Sequence, residues 1–161
     1  MTISVGEKIP NAKLKTMADG QMKDVTTAEL FAGKKVVLFA VPGAFTPTCS
    51  MQHLPGFIQK AGEIKAKGVD TIACVSVNDA FVMDAWGKDR GAGDAVLMLA
   101  DGNGDFSKAV GLDFDGSGIG FGVRSQRYAM IVEDGVVKSL HVEKPMKFEV
   151  SSAEAILAEL S

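Results

Sequence analysis

The sequence predicts an α/β fold in which a mixed central sheet is covered by helices on both faces. Three observations predict it. Continuous apolar runs of strand length, KKVVLFAVP and VDTIACVSVN, read as strands buried on both sides. Helical segments alternate with them, which implies parallel pairing through helical crossovers. A late stretch, RYAMIVEDGVVKSLHV, reads as a hairpin turning at Asp134-Gly135, and it adds antiparallel strands at a sheet edge.

The elements follow in chain order. LKTMADGQMKDV is a small hairpin around Asp19-Gly20. TTAELFAGK is a short helical turn stopped by Gly33. KKVVLFAVP is the first buried strand. From Thr46 to Lys67 the pattern is helical, with an interruption expected at Pro55-Gly56 and a stop at Gly68. VDTIACVSVN is the second buried strand. DAFVMDAWGKD is a helix capped by Asn78 or Asp79, with Trp86 packing it on the sheet. AVLMLAD is a third strand and DFSKAVGL a short helix. After the late hairpin, SSAEAILAEL closes the chain as an amphipathic helix capped by Ser151 or Ser152. The layout is similar to the thioredoxin-like α/β arrangement, although periodicity alone does not select it over other α/β folds.

A chain of 161 residues suits one compact domain, expected to run from 1 to 161. Apolar residues at 47% and charged residues at 23% are ordinary globular usage, which argues against disorder. A net charge of -3 offers no basic field for nucleic acid. No apolar run approaches the roughly 18 residues that span a bilayer, so no membrane partner is expected. MTISVGEKIP lacks the basic-then-apolar pattern of a signal peptide, and a cytoplasmic, reducing compartment is the expected setting. Two cysteines are too few for a disulfide scaffold, and with two histidines so placed too few for structural zinc; no metal or cofactor is expected.

The informative stretch is VPGAFTPTCS, residues 41 to 50. Thr46 is a suitable helix N-cap, worth about 1 kcal/mol in that role, and Pro47 fits the first helical position. Cys49 is then the third helical residue. Its sulfur would lie where backbone N–H groups lack intrahelical partners and the helix dipole is positive, and both effects favour a thiolate. The site falls at the carboxyl end of a buried strand, where open α/β sheets bind ligands. Cys74, inside TIACVSV, reads instead as a small buried hydrophobe.

Pro42, Thr46 and Cys49 stand in the pattern P-x-x-x-T-x-x-C, which resembles the active-site signature of peroxiredoxins. The longer run VPGAFTPTCSMQHLPGF resembles their atypical, type II branch, served by glutaredoxin or thioredoxin. VNDAFVMDAW, LADGNGDFSKAVGL and RYAMIVEDGVVKSL extend the resemblance over nearly the whole chain. The resemblance implies a thiol-dependent peroxidase of antioxidant defence that reduces hydrogen peroxide and organic hydroperoxides. Cys49 would attack the terminal peroxide oxygen and become a sulfenic acid. Thr46 would hydrogen-bond the peroxide and the sulfur, and Pro42 would shield the thiolate from water. Arg127 would match the family's distant arginine, holding Cys49 ionised and orienting the peroxide; Arg124 competes for that role on spacing alone. The resemblance also implies a homodimer formed through loops near the site, with Phe45 and Phe121 available to it.

Regeneration has two routes. Cys74 lies 25 residues after Cys49, a spacing at which some type II members carry a resolving thiol. It sits mid-strand, about 10 Å below the strand's carboxyl end, whereas a disulfide needs Cα atoms within about 7 Å. That favours an external thiol, glutathione with glutaredoxin or thioredoxin directly. The intramolecular route stays open, because Pro55 and Gly56 weaken the helix that would have to unwind. A second class of function, a peroxide-sensing redox signalling protein using the same Cys49, shares every one of these features.

Other signals are weaker. DGNGDF begins like a calcium loop but has Phe106 and Leu112 where glycine and glutamate belong. GSGIGFG does not join a strand to a helix and reads as a mobile surface loop near the site. His53 follows Cys49 by four residues, so a Cys–His hydrolytic pair is geometrically open. With no third orienting group in view, His53 reads as structural or as part of the helix's packing surface.

Overall fold

A computed structural model describes residues 2–160. Its centre is a seven-stranded sheet in the order β2-β1-β5-β4-β3-β8-β9. Strands β3 (Lys35–Ala40), β4 (Thr71–Ser76) and β5 (Leu97–Ala100) pair in parallel. β1 (Lys13–Ala18) and β2 (Gln21–Thr26) form the N-terminal hairpin on one side, and β8 (Tyr128–Glu133) and β9 (Val136–Val142) the late hairpin on the other. Both hairpins turn through the expected pairs, Asp19-Gly20 and Asp134-Gly135, all four residues with positive φ as a two-residue turn of this hand requires. This is the mixed, two-sided sheet that the sequence predicts.

Alternation along β3 explains its unbroken apolar run. Val37, Phe39 and Val41 face one layer with Ile72 and Cys74 of β4, while Val36, Leu38 and Ala40 face the other with Ala73 and Val75. The first layer is covered by α2 (Leu54–Ala66), α3 (Ala80–Arg90) and α5 (Ala153–Glu159), through Phe57, Trp86 and Ile156. The second is covered by α1 (Thr27–Phe31) and α4 (Asp105–Ala109), through Phe31 and Phe106. Each such large side chain taken from water contributes roughly 1.5–3 kcal/mol, so a polar substitution on either face of β3 would be severe.

Two expectations need correction. The irregular turn of the long helix is not at Pro55-Gly56 but one turn earlier, where Cys49–His53 form a π-helical turn. Leu54 N–H donates to the Cys49 carbonyl across that wider loop. Pro55 causes it: with no N–H of its own and a ring that crowds the carbonyl four residues back, it is tolerated only if the preceding turn widens by one residue. The glycine-rich stretch is also more ordered than a bare loop. It is bracketed by a two-stranded ribbon, β6 (Asp113–Asp115) with β7 (Val123–Ser125), and contains a 3-10 turn at Ser117–Ile119. Three-residue strands carry too few alternations to register as a period.

Asp79, not Asn78, caps α3, accepting from Val82 N–H at 2.8 Å, and Ser152 rather than Ser151 caps α5. In DGNGDF the Asp101 carboxylate accepts from Phe106 N–H and from Ser107 N–H and Oγ. Its oxygens are therefore committed to starting α4. Among the described residues no cluster of three or more His, Cys, Asp or Glu could hold a metal ion, and no helix is long and apolar enough to cross a membrane.

Candidate active site

The end of β3 leads through Pro42–Phe45 into the helix that carries Cys49. Two side chains distant in sequence hold this connection. Asn78 Oδ1 accepts from Ala44 N–H at 3.0 Å and is itself fixed by Ser76 Oγ at 2.6 Å. Arg124 Nη1, from β7, donates to the Pro42 carbonyl at 3.0 Å. Gly43 is what lets Arg124 approach: a Cβ there would lie 2.6 Å from Nη1. Phe45 adopts φ 65°, a left-handed conformation unusual for a bulky residue, and is 51% exposed.

The helix begins at Pro47, and Ser50 N–H donates to the Thr46 carbonyl at 2.9 Å, so Thr46 starts the helix with its backbone. Its hydroxyl does not cap, contrary to expectation. Thr46 Oγ1 lies 2.6 Å from the Gly43 carbonyl and 2.9 Å from Cys49 Sγ. One hydroxyl proton cannot serve both. With a thiol at Cys49 the proton goes to Gly43 and the S–H donates to Oγ1; with a thiolate the hydroxyl turns to the sulfur.

Arg127 stands just before β8, and its Nη2 donates to Cys49 Sγ at 3.1 Å. Its Nη1 lies 2.9 Å from His53 Nδ1. Arginine only donates, so Nδ1 accepts; His53 Nε2 then carries the proton and donates to the Ser151 carbonyl at 2.9 Å. Burial first, and the Arg127 charge second, push the imidazole down to about 3, so the ring is neutral. Phe39, Phe57 and Phe148 surround it, with centroids 4.9, 5.6 and 5.0 Å away. Both ring nitrogens are thus engaged away from the sulfur, and a Cys–His hydrolytic pair is absent. His53 is more than packing surface: it holds the arginine. Nothing in its spacing from Cys49 could signal this, because its partners lie 74 and 98 residues away.

The π turn is tied down from α3 as well. Trp86 Nε1 donates to Ser50 Oγ at 2.8 Å, and Arg90 Nη1 to the Ser50 carbonyl at 3.3 Å. Of the residues singled out from sequence, Cys49, Thr46 and Arg127 meet through direct hydrogen bonds. Pro42 enters through its carbonyl on Arg124, and Arg124 does not reach the sulfur. Cys74 pairs with Phe39 in the sheet and faces the same buried layer as Cys49; both thiols are free. Burial first, then the neighbouring Cys49, push the Cys74 thiol well up, against a smaller pull from Arg127. A sulfur held by two donors, with no basic nitrogen facing it, is built to attack as a thiolate rather than to hand its proton to a neighbouring base.

The chain resembles known proteins in sequence and in fold. The Redoxin family matches residues 4–157. The chain is 60% identical over 164 residues to Peroxiredoxin-2E-2, chloroplastic, of Oryza sativa subsp. japonica, covering 99% of this chain and 73% of that one. It is 48% identical to Peroxiredoxin-2B of Arabidopsis thaliana, over 98% of both chains. Among solved structures, reduced Prx3 of Vibrio vulnificus in complex with hydrogen peroxide superposes with a TM-score of 0.96 at 59% identity, covering 99% of this chain and 100% of that one. The oxidised form of the same Vibrio protein superposes with a TM-score of 0.91 at 60% identity, over 99% of this chain and 100% of that one.

Proposed function

Because the chain belongs to the Redoxin family and, within it, to the peroxiredoxins, we propose that Cys49 is the thiolate through which it reduces hydroperoxides. The protein is a thiol-dependent peroxidase, an oxidoreductase. The observation that carries the assignment to Cys49 is the convergence of Thr46 Oγ1 and Arg127 Nη2 on one sulfur.

In the proposed step the Cys49 thiolate attacks the terminal peroxide oxygen. An S–O bond forms, the O–O bond breaks, and the leaving hydroxide or alkoxide takes a proton to depart as water or alcohol. Negative charge moves from sulfur to the two oxygens as this happens. The Thr46 hydroxyl and the Arg127 guanidinium sit where they can follow that charge, which is worth most in a buried, water-poor setting. The Pro42–Phe45 connection, held by Asn78 and Arg124, keeps Thr46 in register.

The sulfenic acid is then reduced by an external thiol. Its thiolate attacks the Cys49 sulfur and releases water, and a second thiol frees Cys49 and leaves as the disulfide. Glutathione with glutaredoxin, or thioredoxin, would supply both thiols in a reducing compartment. The state of Cys74 supports this order: a fully buried thiol pushed up by burial is a poor attacking group in the folded protein. A homodimer through the loops near the site would cover the exposed Phe45 ring. The test is peroxide consumption coupled to glutathione–glutaredoxin and, separately, to thioredoxin. Sustained turnover with either, lost in Cys49→Ser, supports the reading; a single stoichiometric oxidation with both donors refutes it.

A further inference from the structure

Glu143 follows β9 directly and is only 7% exposed, although it carries a charge. Its Oε2 accepts from the backbone N–H of Glu149, Val150 and Ser151, each at 2.8 Å, and from Ser151 Oγ at 2.7 Å. Burial pushes this carboxyl up, but the hydrogen bonds outweigh it and hold it below the usual range. Three successive amides converging on one oxygen form an anion nest, occupied here by the chain's own side chain. The backbone N–H of Glu143 also donates to the Arg127 carbonyl at 2.9 Å.

Ser151, the residue clamped twice by Glu143, presents the carbonyl that receives His53 Nε2–H. His53 Nδ1 in turn receives Arg127 Nη1, and Arg127 Nη2 reaches Cys49 Sγ. Phe148, in the same clamped segment, lies 5.0 Å from the imidazole and 5.8 Å from the guanidinium. A mobile Ser151 would leave His53 free to exchange tautomers. The tautomer with a proton on Nδ1 cannot accept from Arg127, and a donor facing a donor would turn the guanidinium away.

We propose that Glu143 is a positioning residue for the peroxidase reaction: it fixes Ser151, and through Ser151 the His53 tautomer, so that Arg127 stays aimed at Cys49. It rests on the reading of Cys49 as the attacking thiolate. Glu143 does not touch the sulfur; the groups facing Cys49 are Thr46 just before its helix, Arg127 just before β8 and Cys74 on β4.

The experiment uses the full chain with Glu143→Ala and Glu143→Gln, each alone and combined with His53→Gln, at temperatures where the variants are folded. Two quantities are read: the rate of Cys49 oxidation by hydrogen peroxide, and the pH midpoint of Cys49 alkylation by iodoacetamide, located by mass spectrometry. Glu143→Ala is expected to slow oxidation about tenfold, within the ~100-fold that a 1 Å misplacement costs, and to move the midpoint to higher pH. Glu143→Gln, a neutral and weaker acceptor, moves both the same way by less. In the His53→Gln background Glu143→Ala adds no further loss, because both act through one chain of contacts. Wild-type rate and midpoint in the folded Glu143 variants overturn the proposal, as do losses that multiply in full with those of His53→Gln. If the alanine variant does not fold, the glutamine variant decides by the same criterion. Peroxide consumption at the wild-type rate in Cys49→Ser would remove the reading of Cys49 itself, and the proposal with it.

Discussion

Arg127 and His53 meet at 2.9 Å, Nη1 to Nδ1, a permanent cation against a ring that stays neutral. The pairing leaves the second guanidinium nitrogen free for Cys49 Sγ. A carboxylate in place of the imidazole would accept equally well but would neutralise the charge; a neutral acceptor orients the arginine and leaves its charge to the sulfur.

Arg127→Lys should therefore behave as a loss, not as a conservative change. A single ammonium cannot bond His53 and Cys49 in the same fixed fork. We expect a fall of roughly 100-fold in the rate of Cys49 oxidation, measured by stopped-flow under single-turnover conditions, with the melting temperature little changed. A lysine variant within a factor of two or three of wild type would show that charge alone suffices.

Thr46→Val removes the hydroxyl and keeps the shape. The Cys49 sulfur loses one of its two donors, so oxidation should slow roughly 100-fold, while Thr46→Ser retains most of the rate. Equal rates in the valine and serine variants would assign Thr46 to helix geometry only.

Stability should depend on pH through His53. The folded ring titrates near 3 and an unfolded histidine near 6.5, so between those values the unfolded chain binds the extra proton. The stabilisation is fully present above about pH 6.5 and is lost as pH falls toward 3, by up to ~1.4 kcal/mol per pH unit. Urea titrations of wild type and His53→Gln at several pH values isolate this contribution. The difference between them should shrink with acidification; a constant difference would show that folding leaves the titration of the ring unchanged.

Gly43→Ala probes the connection that carries Thr46. The new Cβ would meet Arg124 Nη1 at 2.6 Å and Thr46 Cγ2 at 3.1 Å. Arg124 has the freer side chain and should swing out, leaving the Pro42 carbonyl without its donor. A cost of about 1 kcal/mol is expected in chemical denaturation, together with a slower peroxide reaction. A variant as stable and as fast as wild type would show that the clamp on Pro42 is dispensable.

Cys74→Ser should leave glutaredoxin-supported turnover largely intact, whereas Cys49→Ser should abolish it. Mass spectrometry after one equivalent of peroxide provides the independent check. A Cys49–Cys74 crosslink as the main product would replace the external route with an internal one.

The sequence by itself determined the elements whose causes are local. Two Asp-Gly turns set both hairpins, an unbroken apolar run made β3 a strand buried on both faces, and Thr46-Pro47 started the helix that presents Cys49. The pattern joining Pro42, Thr46 and Cys49 was legible because it spans eight residues of chain. Pro55 was legible as a disturbance but not where the helix would absorb it: a proline's missing N–H and crowded ring act on the turn before it, and the widened turn fell at Cys49–His53. Arg127 was legible only through the family resemblance, and tertiary structure alone decided how it is held. Arg127 reaches the sulfur across 78 residues and His53 reaches Ser151 across 98. Whether a histidine is a base, a packing surface or a brace for an arginine depends on which atoms meet its two nitrogens. Those atoms came from the residue before β8 and from the segment before α5, brought there by the sheet order and by the Glu143 clamp. No local periodicity encodes such a meeting, because its hydrogen bonds exist only once the layers have packed.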